Sequence, residues 1–228
     1  MTDVIAHRGL HLTMRENTVE AFHAAVEIGA SGIELDARRS ADGALVVHHD
    51  AHLPDGRAIV ECLRGDLPDW LPDLPAALDA CAGAFVNIEI KNDAQEPDFD
   101  RDEAVAEAVM ELLAARHEPA STWLISSFRI ETVDRCRAVD PNIATAWLTA
   151  GAVDDAEVAD VSERGHPAIH PWDPTVDAAT IERCHAAGLR VNTWTCNDAA
   201  RAAELAAWGI DGICTDIPAD VLAVLSTE

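Results

Sequence analysis

Short apolar runs alternate along the chain with stretches in which apolar residues recur every three or four positions. The first pattern is that of buried strands and the second that of amphipathic helices. Strands are predicted at 4–8, 32–39, 44–49, 85–91, 123–128, 143–149, 168–172, 190–195 and 212–215. Helices are predicted at 18–28, 74–82, 103–116, 130–139, 156–164, 178–187, 199–208 and 219–225. Gly29, Gly188 and Gly209 each follow a helical stretch, where a left-handed terminating residue is expected. Asn197-Asp198 and Asp173-Pro174-Thr175 offer helix-start chemistry. Pairing 32–39 with 44–49 around Ala41-Asp42-Gly43 as one hairpin-like excursion leaves eight βα units. The expected fold is therefore an α/β (β/α)8 TIM barrel, one domain over residues 1–228. A doubly wound open sheet competes, but no glycine-rich nucleotide fingerprint supports it.

Composition narrows the partners. With 228 residues, 49% of them hydrophobic, the chain can bury a full core. A net charge of -25 argues against nucleic acid or an anionic membrane as a partner. An anionic substrate would then have to be drawn locally, by a metal or a few placed cations. No apolar run has the length to span a bilayer, so no stable membrane association is expected. The first motif begins at Ile5 and leaves no room for a signal peptide, which implies a cytoplasmic protein. The six cysteines show no C-x-x-C spacing and are expected to be reduced, mostly buried thiols.

Alternate residues of a strand share a face, and barrel enzymes place their chemistry at the C-terminal strand ends. In "GIELDARR" Glu34 and Asp36 fall on one face, and in "FVNIEIKN" Glu89 and Lys91 do the same. Three carboxylates would then meet at one barrel mouth, forming an oxygen-ligand site suited to Mg²⁺ or Ca²⁺. A solvated strand end explains one such pair well, and two pairs in one repeat poorly. His7 ends the first strand, while His48, His49 and Asp50 end the excursion. Two histidines beside a cation suit a general acid and a general base. Arg8 and Lys91 would supply phosphate contacts, one as a planar fork and one as a point charge. The inventory points to cleavage of a phosphate ester.

At these residues the sequence resembles the glycerophosphodiester phosphodiesterase family. The likeness is carried by "IAHRG", "ENTVEAF", "GASGIELDARRSADGALVVHHD", "LPAALDAC", "NIEIK", "LISSF", "GLRVNTWTCND" and "GIDGICTDIP", in order from Ile5 to Pro218. The resemblance implies a TIM barrel that uses a divalent cation to hydrolyse glycerophosphodiesters to glycerol 3-phosphate and an alcohol. It places the acid/base pair at His7 and His49, the metal ligands at Glu34, Asp36 and Glu89, and phosphate contacts at Arg8 and Lys91. Trp194 would pack against the glycerol or the alcohol, with a buried core tryptophan as the plain alternative. Asn17 reads as a helix cap, Glu16 as a partner for Arg8, and His48 as non-catalytic. Arg15 stands where the family commonly has proline, and the cap after the second βα unit is shortened to residues 51–73. Competing functions are a lysophospholipase D or phospholipase C-like activity on another headgroup, and a non-catalytic barrel that binds a phosphorylated metabolite. Finally, "NDAQEPDFDRDE" after Lys91 carries six acids against one arginine. A solvated loop leading into the helix from Glu103 is the plain reading, but at the catalytic end of the barrel the stretch is expected to repel anionic headgroups and favour neutral or cationic alcohols such as ethanolamine or choline.

Overall fold

The computed structural model describes residues 1–226. Among these described residues nine strands form, β1 (Asp3–His7), β2 (Gly32–Arg39), β3 (Leu45–Val47), β4 (Phe85–Ile90), β5 (Trp123–Ser127), β6 (Ala144–Thr149), β7 (Ala168–Pro171), β8 (Arg190–Thr193) and β9 (Gly212–Thr215). Around them run α1 (Val19–Glu27), α2 (Leu74–Ala80), α3 (Ala104–Ala114), α4 (Ile130–Val139), α5 (Asp155–Glu163), α6 (Ala178–Ala186), α7 (Ala199–Ala207) and α8 (Pro218–Leu225). The order β1-β9-β8-β7-β6-β5-β4-β2 closes on itself through β1–β2, so eight parallel strands make a barrel. β3 lies antiparallel on β2, with Ala37 opposite Val47. The fold is the expected (β/α)8 TIM barrel, and the pairing of 32–39 with the run after it is the expected excursion.

Strand phase sorts the side chains. Ile33, Leu35, Ala37, Val86, Ile88 and Ile90 are buried in one cluster with Phe22 of α1 and Leu74 of α2, so they fill the layer between barrel and helices. A matching cluster under α5 to α8 includes Ile169, Val191 and Ile213. The alternate positions, Glu34, Asp36, Arg38 and Glu89, therefore face the barrel axis. Adjacent strands set their heights, because His7 pairs with Glu34 and Asp36 pairs with Glu89. A polar mouth above an apolar shell follows from period-two alternation.

Two details differ from the sequence expectations. α1 is capped by Thr18, whose hydroxyl accepts the Ala21 N–H, and not by Asn17. Asn17 has a left-handed φ of 55° and turns its side chain to Asp36 instead. Asp173–Thr175 forms only a 3₁₀ turn, and Asp177 caps α6. The shortened cap lies between β3 and α2 and has a small core of its own from Leu53, Ile59, Leu67 and Leu71 packed on Val46. It contains two 3₁₀ turns, Ile59–Glu61 and Arg64–Asp66.

Candidate active site

The His-Arg-Gly triplet turns sharply at the end of β1. Arg8 and Gly9 both take left-handed φ, at 53° and 83°. A Cβ on Gly9 would lie 2.7 Å from the backbone carbon of Ala21 in α1, so only glycine fits there. The turn brings the Arg8 amide to Glu34 Oε2 at 3.1 Å and its guanidinium to Glu16 at 2.9 Å and Asp36 at 3.4 Å.

Glu34, Asp36 and Glu89 are all buried, and one oxygen of each lies within 4.8 Å of the others. Lys91 bridges two of them, with Nζ 2.8 Å from Asp36 and 2.5 Å from Glu89. Asn17 donates to Asp36 Oδ2 at 2.7 Å. These contacts divide the carboxylates electrostatically. Burial would raise the Asp36 pKa, but Lys91 and then Arg8 outweigh it and hold the group well below the ordinary carboxylate value. Glu34 goes the other way, because burial and then the charges of Asp36 and Glu89 push it well up, against Arg8 and Lys91. Its Oε1 is buried and has no hydrogen-bond partner. An all-oxygen set with an orphaned, charge-crowded carboxylate fits a hard divalent cation.

The two histidines flank this cluster. His7 Nδ1 is 2.6 Å from Asp216 Oδ1, and its Nε2 is 3.9 Å from Glu34. Such a contact on one ring nitrogen fixes the ring's orientation and leaves the other free to act. Asp216 also takes His11 Nε2 at 3.0 Å and the Asn197 amide at 2.5 Å. Burial opposes its ionisation, yet contacts with His11 and His7 depress its pKa. His49 Nδ1 meets Asp50 at 2.7 Å. Burial, reinforced by Lys91, lowers the His49 pKa and favours neutral imidazole. His49, Glu89, Lys91, Asn92, Arg129 and Trp147 line a cavity of about 520 Å³. His48 instead packs on the cap at Trp70, 5.8 Å between ring centroids.

Trp194 follows β8 in the inward phase of Asn192. Its indole N–H donates to the His170 carbonyl at 2.9 Å, and Phe128 meets the ring edge-on at 5.2 Å. The expected ionic residues thus gather in one cluster, while Trp194 stands among aromatic and backbone neighbours. Sequence reasoning missed Asp216, Arg38 and the true role of Asn17. A signal existed for Asp216, which continues the inward phase of Gly212 and Cys214 in "GICTDIP".

The acidic stretch is not simply a solvated loop. Asp98, Asp100 and Glu103 are buried. Asp98 and Glu96 pair with Arg38, Glu103 pairs with Arg129 at 2.8 Å, and Asp100 accepts the Val105 N–H. Three of its six acids thus share two arginines and a fourth accepts a backbone N–H, which weakens the basis for strong repulsion at the entrance.

Residues 7–59 and 57–220 match the sequence model of the Glycerophosphoryl diester phosphodiesterase family. A glycerophosphodiester phosphodiesterase of Bacillus altitudinis is 28% identical, with 96% of each chain covered. The protein YqiK of Bacillus subtilis is 29% identical over the whole of both chains. Among solved structures, a phosphodiesterase of Oleispira antarctica in complex with its product sn-glycerol-3-phosphate superposes with a TM-score of 0.89 at 25% identity. That match covers 99% of this chain and 97% of the other.

Proposed function

The chain belongs to the glycerophosphoryl diester phosphodiesterase family and is a phosphoric diester hydrolase, and from that premise we propose that it converts glycerophosphodiesters to glycerol 3-phosphate and an alcohol with a bound Mg²⁺ or Ca²⁺. One observation carries the reading: the buried Glu34, Asp36 and Glu89 leave a Glu34 oxygen without a partner, between two basic side chains and two histidines. These three carboxylates would hold the cation, which when bound polarises phosphoryl oxygen and offsets developing negative charge.

The remaining chemistry belongs to the chain. Arg8 and Lys91 orient the phosphate, and they also keep the carboxylates from repelling one another. His49, biased toward its neutral form, accepts the proton of the attacking oxygen, either water itself or a glycerol hydroxyl whose cyclic ester water then opens. His7, aimed by Asp216, delivers a proton to the departing alkoxide as the phosphorus–oxygen bond breaks. Trp194 offers an apolar face to the organic part of the substrate. Among the described residues no helix is long and apolar enough to cross a membrane. The free cysteines suit a reducing compartment, and a cytoplasmic location is part of this proposal.

A second reading, lysophospholipid cleavage, rests on the exposed Leu12, Met14, Phe128 and Trp172. Each follows a barrel strand at its C-terminal end, where an acyl chain could lie. Product analysis with soluble glycerophosphodiesters and with micellar lysophospholipids, each with and without a chelator, separates the two. Cation-dependent release of glycerol 3-phosphate from the soluble substrates supports the main reading. Turnover confined to micelles supports the second, and no release from either overturns both.

A further inference from the structure

Arg38 occupies an inward position on β2, and its side chain is only 1% exposed. Its Nε and Nη2 donate to the His49 carbonyl at 2.9 and 2.5 Å. Nη1 donates to Asp98 at 2.6 Å and Glu96 at 2.8 Å, and Nη2 reaches Glu96 at 3.1 Å. Five N–H groups thus make five hydrogen bonds, the full capacity of a guanidinium. His49 lies beyond the end of β3 at Val47, one residue past the last backbone bond to β2, from the His48 N–H to the Asp36 carbonyl at 2.9 Å. Its carbonyl is held by this fork.

The partners of Arg38 come from the acidic stretch, and that stretch is itself fastened. Asn92, next to Lys91, donates to the Asp100 carbonyl and to Glu103, both at 2.9 Å, while the Asp100 amide donates back at 2.8 Å. Thr132 and Arg129, flanking the start of α4, donate to Glu103 at 2.7 and 2.8 Å. The segment forms a strap closed at both ends, with Asp98 and Glu96 directed at the arginine under it.

We propose that Arg38, held by Asp98 and Glu96, is a positioning residue that sets the His49 imidazole against the carboxylate cluster. The inference rests on the reading of His49 as the base. Arg38 borders the same cavity, but with its side chain 1% exposed and every N–H engaged it acts through the His49 backbone. The strap's acids compensate the buried guanidinium and so are part of the catalytic apparatus rather than an electrostatic screen. Lysine cannot replace the arginine, since a single ammonium does not offer a fork toward the carbonyl and two carboxylates at once.

The test is a double-mutant cycle of Arg38→Lys with His49→Ala, with Asp98→Asn as a milder variant that keeps the guanidinium. Thermal melts establish the folded fraction, and kcat is counted per folded molecule. Arg38→Lys is expected to lower kcat by about 10–100-fold, the scale of a misplacement near 1 Å, with KM changed by less than about threefold. Asp98→Asn should show the same pattern more weakly. In the His49→Ala background Arg38→Lys should change kcat by less than about threefold, because the imidazole it positions is gone. An equal loss in both backgrounds overturns the proposal, as does a variant of lower stability with undiminished kcat. If Arg38→Lys does not fold, the Asp98→Asn cycle decides by the same criteria. Full turnover in His49→Ala alone is a separate result, which removes the base assignment itself.

Discussion

Replacing Glu34 by glutamine probes the cation site through stability, independently of turnover. Glu34 is 5% exposed; one carboxylate oxygen accepts the Arg8 amide and the other has no partner. Burial and then Asp36 and Glu89 raise its pKa above the ordinary 4.5. The folded state therefore resists ionising a group that the unfolded chain ionises freely. That penalty is absent below about pH 4.5 and grows as pH rises through the folded value. Glutamine keeps the shape and one unpaired polar atom but removes the buried charge, whose extra cost is on the order of 1–3 kcal/mol. In metal-free protein at neutral pH, Glu34→Gln should thus stabilise by roughly that amount. At about 2–4 °C per kcal/mol for a chain of this size, Tm should rise by roughly 2–12 °C. Bound cation offsets or reverses the order. At a hundredfold excess over its Kd it adds about 2.7 kcal/mol to the wild type, and the variant should lose most of that gain. Scanning calorimetry in chelator, and then in Mg²⁺ or Ca²⁺, reads both effects. Equal Tm in chelator at neutral pH would show that Glu34 is not strained, and an equal cation-induced rise in both proteins would show that it is not a ligand.

His7→Ala and His49→Ala should each lower kcat by about 10²–10⁴-fold, whereas His48→Ala, on the cap, should be nearly silent; comparable losses at His48 and His49 would reverse the assignment. Because the base works only when neutral, kcat/KM should fall as pH drops through the His49 pKa, and this limb should lie below the ordinary 6.5; a limb above 6.5 contradicts the assignment. His170 is buried and held near pKa 3, chiefly by burial, with Asn192 donating to its Nε2. Its contribution is intact above pH 6.5 and is lost as pH falls toward 3, by at most about 1.4 kcal/mol per unit; His170→Gln should flatten the dependence of Tm on pH in that window, and an unchanged slope would point to other groups. Asp93→Asn and Asp102→Asn, both exposed, should alter the preference for glycerophosphocholine over an anionic diester by no more than about twofold at low salt, the scale of screened surface charges; a large shift would restore the loop as an electrostatic screen.

How far the sequence was legible depended on the range of each interaction. Period two in "GIELDARR" and "FVNIEIKN" is local, and it placed Glu34, Asp36, Glu89 and Lys91 toward the barrel axis without any tertiary knowledge. The turn Ala41-Asp42-Gly43 likewise allowed eight units to be counted instead of nine strands. Asp216 was harder, because its partner His7 lies 209 positions away. Arg38 shares the phase of Asp36, yet a third charged residue in a strand reads as a solvated end until Glu96 and Asp98 are seen across 58 and 60 positions. The same blindness left the acidic stretch as free charge at the entrance, since pairing with Arg38 and Arg129 exists only once β2, β4 and α4 are side by side. Asn17 was read as a cap because asparagine before a helix usually is one; here Thr18 takes that place, and Asn17 supports Asp36.

Phosphorus NMR of glycerophosphocholine incubated with the protein bears on the whole scheme. In Mg²⁺ or Ca²⁺ the diester signal should give way to glycerol 3-phosphate, stop on chelation, return when cation is restored, and stay unchanged with Glu89→Ala. Continued hydrolysis after exhaustive chelation, or by Glu89→Ala at the wild-type rate, would contradict a cation held by Glu34, Asp36 and Glu89.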